Sequence, residues 1–352
     1  MTVTLREEIT TLAEYTLVQP AHRIKLNQNE NPFELPRHIK EQILRRVGEI
    51  PWSRYPPFVP AQQMDQVARF TGWLPDGVLL GNGSNDLLQL LITCMLERGS
   101  HLVLSQPTFT LYRLLARSLG AIVHDVPMQQ PFAFDTGRII ETARTHGAAL
   151  VVLCSPNNPT GTRISGDDVL AILEKTEAVV ALDEAYVQFC GGSLVPLLAH
   201  HDRLVILQTF SKAMGAAGLR FGYLLGSPDL TANLNKVKLP YSVNLFTLTA
   251  MEVLMNRWQE IRGWIDTIVA ERDRVFRVLE ETDGVQVHPS WANFLLLEML
   301  RKSPKEVFQS LLGHGILVRD VSSYPLLGRA LRVSIGTPEE NDAFIAALRE
   351  AV

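Results

Sequence analysis

Lys212 follows an apolar run, Leu204–Leu207, that ends in the hydroxyls of Thr209 and Ser211, and it precedes a small, glycine-rich segment closed by Arg220. A lysine at a strand end among small residues is placed for covalent work. In a partly desolvated pocket its ammonium loses its proton more easily, and the free amine can attack a carbonyl to form a Schiff base. Thr209, Ser211 and Arg220 supply donors for a doubly charged phosphate, the arginine as a two-pronged fork. A second apolar run, Ala178–Leu182, ends in Asp183-Glu184-Ala185-Tyr186. A carboxylate at a buried strand end is costly unless it meets a cation. A protonated pyridine nitrogen is one such partner, in a bond worth roughly 1.5–3 kcal/mol; an aspartate that caps the next turn is the simpler reading of Asp183 taken alone.

A third run, Ala149–Cys154, ends in Ser155-Pro156-Asn157-Asn158-Pro159-Thr160-Gly161. Two prolines and a glycine make a stiff turn that would hold Asn157 in one orientation. Its amide could then donate to a phenolate oxygen, as could the Tyr186 hydroxyl. Gly81-Asn82-Gly83-Ser84-Asn85-Asp86 follows a strand and opens a helix, so its N–H groups and Ser84 form an anion site. The glycines suggest a dinucleotide loop, but Asp86 stands where a third glycine belongs, and a single phosphate fits better.

A nucleophilic lysine, a ring-nitrogen aspartate, phenolate donors and two phosphate-binding elements together describe a site for pyridoxal 5′-phosphate. The strings SPNNPTG, DEAY and TFSKAMGAAGLRFGY, in this order, resemble the fold-type I aminotransferases of class I/II over nearly the whole chain. Within them the chain is most similar to the histidinol-phosphate aminotransferases. It is short for an aminotransferase and carries Leu26–Pro32 (LNQNENP), Arg54-Tyr55-Pro56 and Leu331–Thr337 (LRVSIGT).

The resemblance implies roles position by position. Lys212 would bond the cofactor aldehyde, Asp183 would pair with the ring nitrogen, and Asn157 and Tyr186 would contact the phenolic oxygen. Gly83, Ser84, Asn85, Thr209, Ser211 and Arg220 would grip the phosphate, and Phe109 would stack on the ring. Tyr55 would reach the neighbouring subunit's phosphate, which makes a homodimer part of the site. Arg332 would bind a substrate carboxylate or phosphate, and Arg319 and Tyr15 the phosphate of the amino donor, with Asn29 also on the substrate side. The implied reaction moves the amino group of L-histidinol phosphate to 2-oxoglutarate, a step of histidine biosynthesis. Rivals are an aminotransferase for aromatic or other amino acids, a phosphothreonine decarboxylase with the same cofactor, and a non-catalytic cofactor-binding regulator.

The elements that must position these residues follow from periodicity. From Leu79 to about Tyr223 short apolar strands alternate with amphipathic helices, which predicts an α/β fold: a mainly parallel sheet, seven-stranded in the family, with helices on both faces and ligands at the carboxyl ends of the strands. After Pro240 a long helical region, Thr247–Glu281, leads to strands at Val285–His288, Asn293–Glu298 and Leu331–Ile335. A helix at Pro304–Leu312 and a capping box at Thr337–Glu340 complete a smaller α+β domain. The expected partition is an N-terminal segment, 1–45, packing on both domains, a large cofactor-binding domain, 46–245, and a small domain, 246–352.

The totals exclude other classes. The chain has 352 residues, 46% hydrophobic and 20% charged, with a net charge of −4 and no basic run, so nucleic acid is not an expected partner. Its acidic N-terminus lacks an apolar leader, and the longest apolar run, Leu87–Leu96, is too short to span a bilayer. Three scattered cysteines suit reduced thiols in the cytoplasm. Nine histidines show no metal-ligand spacing, and no metal is expected.

Overall fold

The computed structural model describes residues 5–14 and 19–352. A helical turn α1 (Glu7–Thr10), strand β1 (Ile24–Lys25) and helices α2 (Arg37–Gly48) and α3 (Ala61–Thr71) come first. Strands and helices then alternate: β2 (Val78–Gly81), α4 (Ser84–Met95), β3 (His101–Gln106), α5 (Leu111–Ser118), β4 (Ile122–Pro127), α6 (Thr136–His146), β5 (Leu150–Cys154), α7 (Gly166–Lys175) and β6 (Val179–Asp183). The sheet is completed by β7 (Leu204–Thr209) and β8 (Gly222–Leu225), followed by α8 (Pro228–Asn235). The seven strands lie in the order β2-β8-β7-β6-β5-β3-β4, and β8 alone runs against its neighbours.

The continuous apolar runs follow from burial on both faces. Val103 and Val151 enter one core, while the alternate residues Leu102, Leu104, Leu150 and Val152 enter another on the opposite face. The first core also takes Ile39, Ile43 and Val47 of α2. Ser165 caps α7 as its spacing predicts, its hydroxyl accepting from the Asp168 amide at 3.0 Å.

The long helical region, readable from sequence as one helix or two, is two, α9 (Leu245–Asn256) and α10 (Trp258–Glu280), separated at Arg257. Beyond them lie β9 (Val285–His288), β10 (Phe294–Met299), α11 (Pro304–Gly313), β11 (Ile316–Leu317), β12 (Arg319–Asp320), β13 (Ala330–Ser334) and α12 (Pro338–Ala351). A four-stranded antiparallel sheet, β12-β13-β10-β9, backs onto the helices. Capping boxes open both α11 and α12.

Two expected elements start late, and the site explains why. The helix placed at Thr108 begins only at Leu111, because the Thr108 hydroxyl instead donates to Asn157 Oδ1 at 2.7 Å. The strand placed at Arg220 begins at Gly222, because Arg220 adopts a left-handed backbone, φ 53°. Three two-residue strands, β1, β11 and β12, are too short to show any period. Strand β1 pairs in parallel with β11, and the Leu26 carbonyl then accepts from the Ser334 amide, which carries residues 27–29 across to the large sheet. Among the described residues no helix is long and apolar enough to cross a membrane.

Candidate active site

Strands β5, β6 and β7 end side by side, and their last residues Cys154, Asp183 and Thr209 line one cavity of about 500 Å³. The cavity lies between the large sheet and β12 and β13 of the small one. Asn29, Ser84, Asn85, Phe109, Tyr186, Ser211, Lys212, Arg220, Arg319 and Arg332 line it as well, so most of the residues singled out in sequence meet there.

At one end Asp183 is buried, and burial raises its carboxyl above the ordinary range. Its Oδ2 accepts from the Tyr112 hydroxyl at 2.6 Å and its Oδ1 from the Ala185 amide at 3.1 Å. These bonds fix the carboxylate toward the cavity without neutralising it, which leaves a place for a cation.

Lys212 follows β7. Its Nζ donates to the Gln28 carbonyl at 2.8 Å and lies 6.0 Å from the Tyr186 ring centre. Burial first, and then the charge of Arg332, brings its pKa from 10.5 to about 8. Only the neutral amine attacks an aldehyde. The rate at which the apoprotein captures a pyridoxal aldehyde should therefore rise about tenfold per pH unit below 8 and level off above it. Stopped-flow absorbance over pH 6–10 reads this directly; a rate still climbing to pH 10 would mean an unshifted lysine.

Opposite Asp183 stands an anion cradle. The Thr209 and Ser211 hydroxyls are 3.0 Å apart, and Arg220 reaches the Ser211 hydroxyl at 3.3 Å. The N-terminus of α4 presents Ser84 and Asn85 to the same space. Two glycines make this convergence possible. A Cβ on Gly222 would lie 2.2 Å from the Ser84 nitrogen, so the loop into α4 crosses directly over β8. A Cβ on Gly83, itself at φ +84°, would lie 2.2 Å from the Arg220 guanidinium.

One placement differs from the sequence expectation. Asn157 was expected to donate to a phenolic oxygen, but it is fully buried and is not part of the cavity wall. Its amide donates to the Pro107 carbonyl at 2.8 Å and the Thr160 hydroxyl at 2.9 Å, so it holds the turn together. Asn158 faces the cavity instead, and no sequence signal separated the two: β5 ends at Cys154 and the chain turns at once, so strand alternation does not reach these asparagines. Tyr186 keeps its place, its hydroxyl accepting from Asn29 Nδ2 at 3.0 Å, and burial pushes that hydroxyl far above the usual phenol range. It stays protonated and able to donate.

On the small-domain side Arg319 of β12 pairs directly with Arg332 of β13. Arg332 donates to the Asn27 carbonyl at 2.6 Å and to Asn158 Oδ1. Tyr324, which no sequence signal indicated, lines the same wall. Tyr55 lies outside the cavity of its own chain, 80% exposed and stacked on Tyr241 at 4.6 Å. Tyr15 lies outside the described residues.

A buried acid, a flat space walled by Phe109 and Ala185, a lysine of lowered pKa and an anion cradle at the far end suit a phosphorylated pyridine aldehyde. The chain belongs to the aminotransferase class I and II family, whose model matches residues 21–348. Pyridoxal 5′-phosphate is the cofactor of this class. The chain is 40% identical over 329 residues to histidinol-phosphate aminotransferase of Chlorobaculum tepidum, a match covering 93% of this chain and 94% of that protein. Among solved structures, histidinol-phosphate aminotransferase from Sinorhizobium meliloti in complex with pyridoxal-5′-phosphate superposes with a TM-score of 0.89 at 23% identity, covering 99% of this chain and 97% of that one. L-threonine-O-3-phosphate decarboxylase from Porphyromonas gingivalis shares the fold, with a TM-score of 0.82 at 22% identity, covering 93% and 99%.

Proposed function

We propose that this protein transfers the amino group of L-histidinol phosphate to 2-oxoglutarate, giving imidazole-acetol phosphate and glutamate. The observation that carries the reading is the cross-strand pair Arg319 and Arg332 on the cavity wall. Like charges directly opposite each other in a sheet are unfavourable, and they make sense where anions enter between them. A substrate phosphate and an oxo-acid carboxylate are two such anions, and the relatives' name carries the first of them, histidinol phosphate.

Bound pyridoxal phosphate supplies an aldehyde that takes up the amino group and a ring that draws electrons from the substrate carbon. In this reading Asp183 holds the ring nitrogen in its protonated form. Tyr186 and Asn158 donate toward the phenolic oxygen, in place of Asn157. Gly83, Ser84, Asn85, Thr209, Ser211 and Arg220 hold the phosphate and Phe109 covers the ring face. With the cofactor aldehyde taken up by the incoming amine, the freed Lys212 Nζ would accept the proton of the substrate carbon and deliver it to the former aldehyde carbon on the other side of the nitrogen, for which a pKa near 8 is well matched. Arg332 grips the carboxylate through its fork while Arg319 and Tyr324 take the phosphate.

Replacing Arg332 by Lys should raise KM for 2-oxoglutarate roughly 10- to 100-fold, since one charge-assisted pair is lost. Arg319→Gln should raise KM chiefly for the phosphorylated amine. Steady-state kinetics with each substrate varied in turn separates the two, and equal effects of both variants on both substrates would refute this division.

We also propose a cytoplasmic homodimer in which Tyr55 serves the neighbouring site. The exposed aromatic surface of Trp52, Tyr55, Phe58 and Tyr241 supports it. The decarboxylase fold-mate keeps a second reading in view, because the same lysine, acid and cradle serve carbon dioxide loss. A panel of amino donors decides between them. Histidinol phosphate should bleach the cofactor's visible band fastest and yield glutamate once 2-oxoglutarate is added. Carbon dioxide released from a phosphorylated amino acid, or a faster response to phenylalanine or tyrosine, would overturn the assignment.

A further inference from the structure

Three histidines meet far from this cavity. His101 is the first residue of β3, His124 lies two positions further along the neighbouring strand β4, and His146 ends α6. Val103 pairs with His124, so His101 and His124 point from the same face of the sheet, the one on which α6 packs. They sit toward the strand starts, whereas the cavity lies at the strand ends.

The His101 Nδ1 and His124 Nε2 atoms are 2.8 Å apart, and one ring nitrogen from each of the three residues falls within 4.8 Å of the others. The His124 and His146 rings stack at 3.8 Å. Around a tetrahedral zinc ion with bonds of about 2.05 Å, ligand nitrogens lie about 3.3 Å apart. Rotation of the rings about their side-chain bonds, with the stacked His124 and His146 rings tilting toward a common point, would bring the three into a coordination shell. His101 and His124 are half-buried while His146 is exposed, which gives an ion an entry path and leaves room for water.

We propose that His101, His124 and His146 form a binding site for a zinc-class divalent cation, with water as the fourth ligand. Imidazole suits this group of metals, and three protein ligands plus water is an established zinc coordination. The ion would tie the edge strand β4 to β3 and to the end of α6, and its place on the sheet gives it no part in amino transfer.

The test is titration of the metal-stripped holoenzyme with Zn²⁺ alone, followed by calorimetry. One equivalent per chain should bind at micromolar concentration or tighter, and Tm should rise by a few degrees at saturation. X-ray absorption at the zinc edge should show three imidazole nitrogens at about 2.0–2.1 Å. His124→Ala and His146→Gln should each weaken binding at least tenfold while transaminase activity without added zinc stays unchanged. The exposed position of His146 keeps its variant informative if His124→Ala fails to fold. A His200→Ala, His201→Ala double variant should bind as the parent does. Absence of saturable binding, or one-equivalent binding that survives in His146→Gln, would overturn the proposal.

Discussion

Lys212→Ala should abolish amino transfer, lowering kcat by about 10⁴-fold while the protein stays folded. One atom, Nζ, has two tasks: it bonds the cofactor aldehyde and it moves the proton of the substrate carbon. General base catalysis alone contributes about 10²–10⁴-fold. The nitrogen is well prepared for both tasks, since burial and the nearby Arg332 charge bring its pKa to about 8. The sign for stability follows from the same shift. A lysine of 10.5 in the unfolded chain and about 8 when folded costs stability at neutral pH, and that cost fades as pH rises from 8 toward 10.5. The alanine variant should therefore lose activity without losing Tm at pH 7. Single-turnover absorbance with histidinol phosphate measures the activity, and near-parental turnover would remove Lys212 from the mechanism.

The second large effect is expected at Asp183. Asp183→Asn keeps the size of the side chain; its carbonyl oxygen can accept from the Ala185 amide while its NH2 donates to the Tyr112 hydroxyl oxygen, so the fold should survive. What it removes is the charge that holds the ring nitrogen protonated. Removing one preorganised electrostatic group from an enclosed site costs about 10²–10³-fold in kcat. Cofactor should still bind, because the phosphate cradle at the other end of the cavity is untouched. Tyr112→Phe, which removes a hydrogen bond to the acid but not the acid itself, should cost far less. Equal losses in Asp183→Asn and Tyr112→Phe would argue that geometry rather than charge is what matters there.

The parts of this arrangement that could be read in advance are those that local chemistry advertises. Lys212, Asp183 and Thr209 stand at the ends of continuous apolar runs, and parallel topology brings such ends together. The glycines at 83 and 222 were visible, but their purpose was not, because it depends on a backbone crossing between β8 and the start of α4. The sequence reading singled out Asn157, whereas it is Asn158 whose side chain lines the cavity. A turn motif marks where two asparagines lie, and only the folded turn, in which Asn157 bonds to Pro107 and Thr160, says which one faces the cavity. Arg319 and Arg332 were each noticed, yet their pairing was invisible, since β12 is two residues long and carries no period. Tyr112 and Tyr324 gave no signal because a tyrosine in a helix or loop looks like core or surface until the fold places it. The three histidines, 23 and 22 residues apart, fit no metal-spacing rule and are brought together by the pairing of β3 with β4 and the packing of α6 against them.

Reduction of the purified holoenzyme with borohydride, followed by mass spectrometry of its peptides, tests the central claim most directly. The pyridoxyl group should be found on Lys212, in full yield, with the visible absorption lost in step. A label on another lysine, or an unmodified Lys212 in protein that carried the cofactor, would contradict the account.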